Sequence, residues 1–562
     1  MARTHMREAS PAEARKRRSG IPGRWQEGFK LGSWSVYADA IVLFLVVAWS
    51  GVAWLAAQTG RERVAIPGMG KPITLAEALQ ATLEHHPTLS IQKLQVTAGQ
   101  ALKQQATGQF DTVFASTLSR ETTTTPLSSY AQSQLPVGVL ADNWYQSITP
   151  YGVNVTKQLR NGISVNAYSN INRTMDNLTN PLGLNTSTTA VQFVVPLKQG
   201  RGRDVVDAKE QAASIEVVAR EYDLRRTAES LLATTADSYW NLVAARDNLA
   251  VAVDSEKRSK AMLDTVKALI EADQRPRNDI YEVKAELASR VADRIAAEQV
   301  LGQSRKQLAL DMGLPATEIL TVGDPKDDFP AVSAATKELD GEVLQEYFDN
   351  ALQNRSDAIA ARERTIENKV LLHSAEQMTK PQLNLQLSTG YEQLSEGAAL
   401  GTFVGSLFTN LHRPDAEIGF AFQFPRGNNL AQGQRLEAQA NSREAELQFA
   451  QVQRTITTSV AIATESVQDA VLRLQNTREA VEALQLTLQG MREKYRLGET
   501  SLTELLTVED RLTAALSSNV NAELAYATAL SDLRLATGTM LYVGNTIACD
   551  AHVFVTLPGW SQ

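Results

Sequence analysis

Apolar residues recur every seven positions from Val467 through Leu474, Val481 and Leu488 to Tyr495, with Ala470, Leu484 and Met491 filling the places between. That spacing is the seam of a coiled coil. Gly498 then offers the left-handed residue that ends a helix. Ser501, with Glu504 three residues on, spells a capping box that begins another. The pattern predicts a long helical hairpin over about 429–536 with a tight tip at Tyr495-Arg496-Leu497-Gly498-Glu499-Thr500-Ser501.

The same pattern stands earlier in the chain. A shift of 225 positions lays Leu242, Leu249, Leu263 and Ile270 on Val467, Leu474, Leu488 and Tyr495, and Glu256, opposite Val481, is the one break in the seam. The shift also carries Leu512 onto Leu287, Leu533 onto Leu308, Leu535 onto Leu310 and Gly538 onto Gly313. One unit has been duplicated. A looser match, displaced by about 269, relates a helix opening at Thr74 and Glu77 and running to about Gln109 with one from about Glu342 to Met378. His85-His86-Pro87 marks a break in the first of these.

Between the helices the texture changes to alternating polar and apolar residues. Segments 111–120, 149–159, 163–172 and 188–197 have the ten or so residues of a tilted membrane strand, and 381–392 and 416–424 supply two more. Asn161-Gly162 predicts a tight hairpin. Six strands per chain would give a trimer an unusually wide barrel of eighteen and four would leave that hairpin outside the barrel; loop lengths favour six. Strands 111–197 and 381–424 each lead through a similar exit, Pro196-Leu197-Lys198-Gln199-Gly200 and Gln423-Phe424-Pro425-Arg426-Gly427, into a helix of nearly 70 residues, about 204–272 and 429–496. Two short helices stacked end to end match one long one. Four to six strands cannot close a barrel alone, because small barrels need about eight. The expected fold is mainly α with membrane β-strands: duplicated long helical hairpins forming a tube, and strands given to an oligomeric transmembrane barrel.

Charge and composition then fix the address. Residues 1–35 are basic, and an apolar run follows at 40–57. A charged segment, an apolar segment and small residues at its end describe an export signal that is cleaved; the other reading is a retained anchor. The expected divisions are a signal at 1–57, a linker at 58–72, a first repeat at 73–325, a second at 326–542 and a tail at 543–562. Cys549 is the one cysteine, so no internal disulfide forms. The net charge of −8 argues against nucleic acid. The six histidines are scattered without a zinc-binding spacing, and Gly200-Arg201-Gly202 lacks the Gly-Lys-Ser ending of a phosphate loop. No catalytic residue, metal or cofactor is expected, and the chain does not read as an enzyme.

ITLAEALQATLEHHPTL, the exits VVPLKQGRGRD and FQFPRGNN, and YRLGETSLTELLTVEDRL, in that order and within a duplicated frame, resemble the TolC-like outer-membrane efflux proteins over about 73–542. The resemblance implies a homotrimer with one barrel in the outer-membrane lipid and one periplasmic tunnel. Its tips would dock on a periplasmic adaptor served by an inner-membrane pump, in efflux or type I secretion. It places Asp279, Tyr495, Gly498 and Glu504 at a periplasmic gate, and Asp273, Pro276, Leu497, Gly498 and Ser501 where an adaptor docks. Thr500 and Thr507 stand where the family has an arginine and a second acid, so closure is expected to rest on helix packing. Each residue also has a plainer reading: Glu504 as the capping-box acid, Asp279 as a favourable charge at a helix start, Tyr495 as core. A ring of acids, one per protomer, would attract cations. The alternative function is a periplasmic coiled-coil adaptor or structural protein anchored by residues 40–57. Compact β-domains with both signs of charge in their strands would mark that reading.

Overall fold

The computed structural model describes residues 72–135, 141–332, 341–397, 399–407, 414–541 and 550–558, all within one compact unit, Pro67–Gln562. The expected signal, Cys549 and nearly all of the linker lie outside the described residues.

Among the described residues, eight helices of eleven residues or more carry the fold: α1 Leu75–His85, α2 Pro87–Thr107, α3 Ala208–Glu271, α4 Asp279–Asp311, α5 Gly341–Asn354, α6 Ser356–Met378, α7 Asn429–Leu497 and α8 Leu502–Thr537. At 1.5 Å per residue the 64 residues of α3 and the 69 of α7 run about 100 Å each. In the first half α1, α2 and α4 pack on α3; in the second α5, α6 and α8 pack on α7. The halves join where α3 meets α6 and α8. The seam residues Leu242 and Val467 are fully buried, as are Leu308 and Leu533. At the one break in the seam, Glu256 accepts a hydrogen bond of 2.6 Å from Arg294 across α3 and α4.

The junctions between short helices repeat in atomic detail. His86 is an extended residue that caps α2, with Pro87 in the first turn, and Arg355 is an extended residue between α5 and α6. These two are 269 positions apart, the looser displacement seen in the sequence. Gly313 after α4 and Gly538 after α8 both take left-handed φ values, 73° and 72°. A Cβ on Gly313 would lie 2.5 Å from the Cα of His86, and one on Gly538 2.8 Å from the Cγ of Arg355. Each glycine lets the end of one short helix pass against the break in the other.

The strands are β1 Thr112–Leu118, β2 Glu121–Pro126, β3 Asn143–Gln158, β4 Ser164–Asp176, β5 Leu184–Pro196, β6 Gln382–Glu396 and β7 Asp415–Gln423. They form one antiparallel sheet in the order β1-β3-β4-β5-β6-β7, with β2 also on β3. β1 and β2 pair with successive stretches of β3, Tyr151–Lys157 and Asn143–Ile148, so they are one interrupted strand and the sheet has six places. The ladders correct the expected limits: β3 begins at Asn143 rather than 149, β4 runs to Asp176, β5 starts at Leu184 and β6 reaches Glu396. The connections between strands shorten accordingly, because backbone pairing extends beyond the apolar alternation. The edges, β1/β2 and β7, have no partner strand among the described residues.

The register separates two faces, since opposed residues share a side. One side carries Phe114, Val155, Ala167, Val191 and Thr389 in one row, and Val165, Phe193, Leu387 and Ile418 in the next. The other carries Asn154, Tyr168, Ala190 and Gly390, and then Asn166, Gln192, Ser388 and Glu417. Apolar outside and polar inside is the alternation of a membrane barrel around water.

Candidate functional site

The two helical hairpins turn beside one another. α7 ends through Gly498, at φ 81°, whose N–H donates to Tyr495 O at 3.2 Å while Glu499 N–H donates to Lys494 O at 2.9 Å. A new helix starts at once: the Ser501 hydroxyl accepts from Glu504 N–H at 3.3 Å, and the Glu504 carboxylate accepts from Ser501 N–H at 3.3 Å. Leu497 projects 72% exposed at the turn.

α3 ends differently. Asp273, at φ 58°, takes the left-handed place that Gly498 fills in the other tip, and Gln274 N–H donates to Leu269 O at 2.9 Å. Pro276 O accepts from Asp279 N–H at 3.2 Å, which draws the chain into α4 without a side-chain cap on Asn278. Asp279 occupies the first turn of α4.

Between the hairpins lies an apolar cluster of Leu263, Val266, Val283, Leu488, Leu502 and Leu505, with Tyr495 among them at 1% exposure. The Tyr495 hydroxyl has no hydrogen-bond partner among the described residues. Burial raises its pKa, against the pull of the nearby Arg275 guanidinium. Glu504 is exposed and hydrogen-bonded by the Thr500 hydroxyl, which together with the Ser501 N–H holds its carboxyl below the usual range.

Arg275 is the residue that the sequence did not disclose. Its Nη2 donates to Tyr495 O at 2.7 Å and to Thr500 O at 3.2 Å, and its guanidinium lies 4.3 Å from the centre of the Tyr495 ring. The first tip thus reaches across and fastens both sides of the second turn. Thr503 adds a second link, donating to Glu282 at 3.1 Å. Within one protomer an arginine clasp therefore joins the packing that holds the two tips together. Charge-assisted bonds to two carbonyls are stronger than neutral ones and have direction.

Above the clasp, Glu509 accepts from both Arg258 and Arg492, beside a pocket of about 280 Å³ lined also by Lys257, Met262 and Leu505. Among the described residues no group of three or more His, Cys, Asp or Glu is placed to hold a metal. No described helix is long and apolar enough to cross a membrane.

Residues 348–539 match the family model described as outer membrane efflux protein. The chain is 23% identical to the outer membrane protein TolC of Escherichia coli (strain K12) over 366 residues, 64% of this chain and 71% of that one. Its fold is similar to the CmeC outer membrane channel of Campylobacter jejuni, with a TM-score of 0.57 at 16% identity over 83% of this chain and 85% of that one. The outer membrane protein VceC of Vibrio cholerae gives 0.58 at 16% identity, over 83% and 96%. The duplicated hairpins and the two-faced sheet thus accompany a likeness to outer-membrane efflux proteins, in sequence over residues 348–539 and in fold over most of the chain.

Proposed function

We propose that the protein is the outer-membrane exit duct of a tripartite efflux or type I secretion system. It is a passive conduit in which three copies share one barrel and one helical tunnel, and the tips meet a periplasmic adaptor coupled to an inner-membrane pump. The observation that carries this reading is the sheet: one apolar face, one polar face and two open edges in a single chain. Such a sheet satisfies its backbone in lipid only by joining other copies. A duct needs no chemistry of its own, and the reading assigns none.

In this reading the tips close the pore. Glu504, exposed and held ionised, would form a ring of like charges around the axis, and Asp279 and Tyr495 would stand behind it. The exposed Leu497, with Asp273, Pro276, Gly498 and Ser501 on the two turns, would form the surface the adaptor meets. Single-channel recording of the purified, detergent-extracted protein in a planar bilayer tests this. Discrete cation-selective openings are expected, with selectivity reduced in Glu504→Ala. Failure of the protein to insert would refute the duct, and unchanged selectivity would remove Glu504 from the pore.

A further inference from the structure

The two ends of the sheet differ in charge, and the proposed duct does not account for it. At the helical end, the β3–β4 hairpin and three of the four helix–strand junctions carry Lys157, Lys198, Arg201, Lys380 and Arg426. All five are exposed, and none makes an ion pair or a side-chain hydrogen bond among the described residues. Two further cations there are already matched, Arg160 with Glu210 at 2.8 Å and Arg203 with Asp207 at 2.9 Å. Asp111 and Asp204 are the remaining acids of these segments. At the other end the strands finish in acids, Asp142, Asp176, Glu396 and Asp415, with Arg413 the one cation in the intervening sequence.

The cationic end adjoins the apolar face. Lys157 lies in the row that continues through Val165, Phe193, Leu387 and Ile418. Phe422 and Phe424, 69% and 49% exposed, lead directly to Arg426. Long cationic side chains beside apolar surface lay their stems along it and hold their charge at the water boundary. Unmatched cations at that level are attracted to anionic headgroups. A ligand that meets both features has acyl chains for the aromatic band and a negative phosphate for the cations.

We propose that these residues form a collar that binds anionic phospholipid headgroups in the leaflet on the helical side of the membrane. The collar rests on the duct reading for its place in a bilayer, and it adds a lipid preference that a passive duct does not require. Each bound lipid bridges neighbouring strand–helix junctions, so the collar fastens the barrel at the depth where its helices begin.

The test uses the purified full-length assembly, given equal amounts of phosphatidylglycerol and phosphatidylcholine, with retained lipids counted by native mass spectrometry. Wild-type protein is expected to retain phosphatidylglycerol about three-fold or more over phosphatidylcholine. Combining Lys198→Gln, Arg201→Gln and Arg426→Gln should bring the ratio near one. Neutralising three exposed cations on the helices, Lys284→Gln, Lys306→Gln and Arg511→Gln, should leave it unchanged. A wild-type ratio near one, or a preference that survives in the collar variant, overturns the proposal. So does full displacement of the lipid by inorganic phosphate, which would show a site for free anions. The same preparations are examined in planar bilayers: conductance without lipid preference refutes the collar alone, whereas no insertion into either lipid refutes the duct and the collar together.

Discussion

The two tips make the same reversal by different means. The second is assembled from residues suited to each place: glycine at the left-handed position, serine at the cap, glutamate three residues on. The first puts an aspartate at φ 58° and starts its next helix without a side-chain cap, so it is the more strained of the two. It nevertheless supplies Arg275, which ties down the second tip through two backbone carbonyls and a tyrosine face. After duplication, one copy kept the local chemistry of a stable turn, and the other holds the long-range contact. Local stability and coupling between hairpins have been divided between them.

The largest expected effect comes from breaking that division. Arg275→Ala removes both charge-assisted bonds and the ring contact, and should cost about 2–3 kcal/mol of local stability at the tips. Faster amide hydrogen exchange across Tyr495–Leu505 and longer channel openings would report it. Unchanged exchange would mean that the apolar cluster alone holds the hairpins together. Arg275→Lys should recover only part, since a lysine cannot hold two carbonyls and stack on the ring at once.

A second contrast lies further along the long helices. Asp237 on α3 corresponds, at the 225-residue shift, to the exposed Ile462 on α7. Burial, with the Asp532 carboxylate adding to it, pushes the Asp237 carboxyl up from 3.8 to about 7, and one of its oxygens has no partner. Because the folded-state value is raised, the favourable contribution of the protonated acid is complete below about pH 4 and is lost as pH rises through about 7. Asp237→Asn should therefore melt close to wild type at pH 4 but be more stable at pH 8, by roughly 2 kcal/mol once solvent screening is allowed for. Equal melting temperatures at pH 8 would show that the acid is solvated in the assembled protein.

Two smaller changes sharpen the comparison of the turns themselves. Gly498→Val places a branched side chain at φ 81°, where there is open space but an unfavourable backbone, and should cost about 1–2 kcal/mol in a denaturant midpoint. Asp273→Gly relieves the first turn and should raise the same midpoint by about 0.5–1 kcal/mol. If Asp273→Gly lowers it, the aspartate side chain does more than occupy the turn.

How much of this was legible depended on whether the physics has a residue-level signature. The hairpins were legible because a seven-residue apolar period and a capping box are written in side chains, from Val467 to Glu504. The duplicated glycines were legible for the same reason, though not their fit against His86 and Arg355, which is a matter of distance. Strand ends were not, since Glu121–Pro126 and Asn143–Ile148 pair through backbone while their side chains give no apolar alternation. The clasp was hidden for a related reason: Arg275 binds carbonyls, which every residue has. At the site, positions could be read but roles could not. Tyr495 is core by its contacts among the described residues, and in the proposed trimer its gating role would fall to neighbours from other copies.

The open edges of the sheet have a consequence for how the protein comes into being. A lone chain presents a complete set of unpaired strand groups at β1/β2 and again at β7, together with an apolar face. Such a chain is a template for wrong pairings as much as for right ones. In the shared barrel proposed above, the native state is a property of a population rather than of a molecule: apparent stability would rise with protomer concentration, and insertion and assembly would be completed as one event. Yield in refolding should depend steeply on concentration at the dilute end and fall again where aggregation outruns closure.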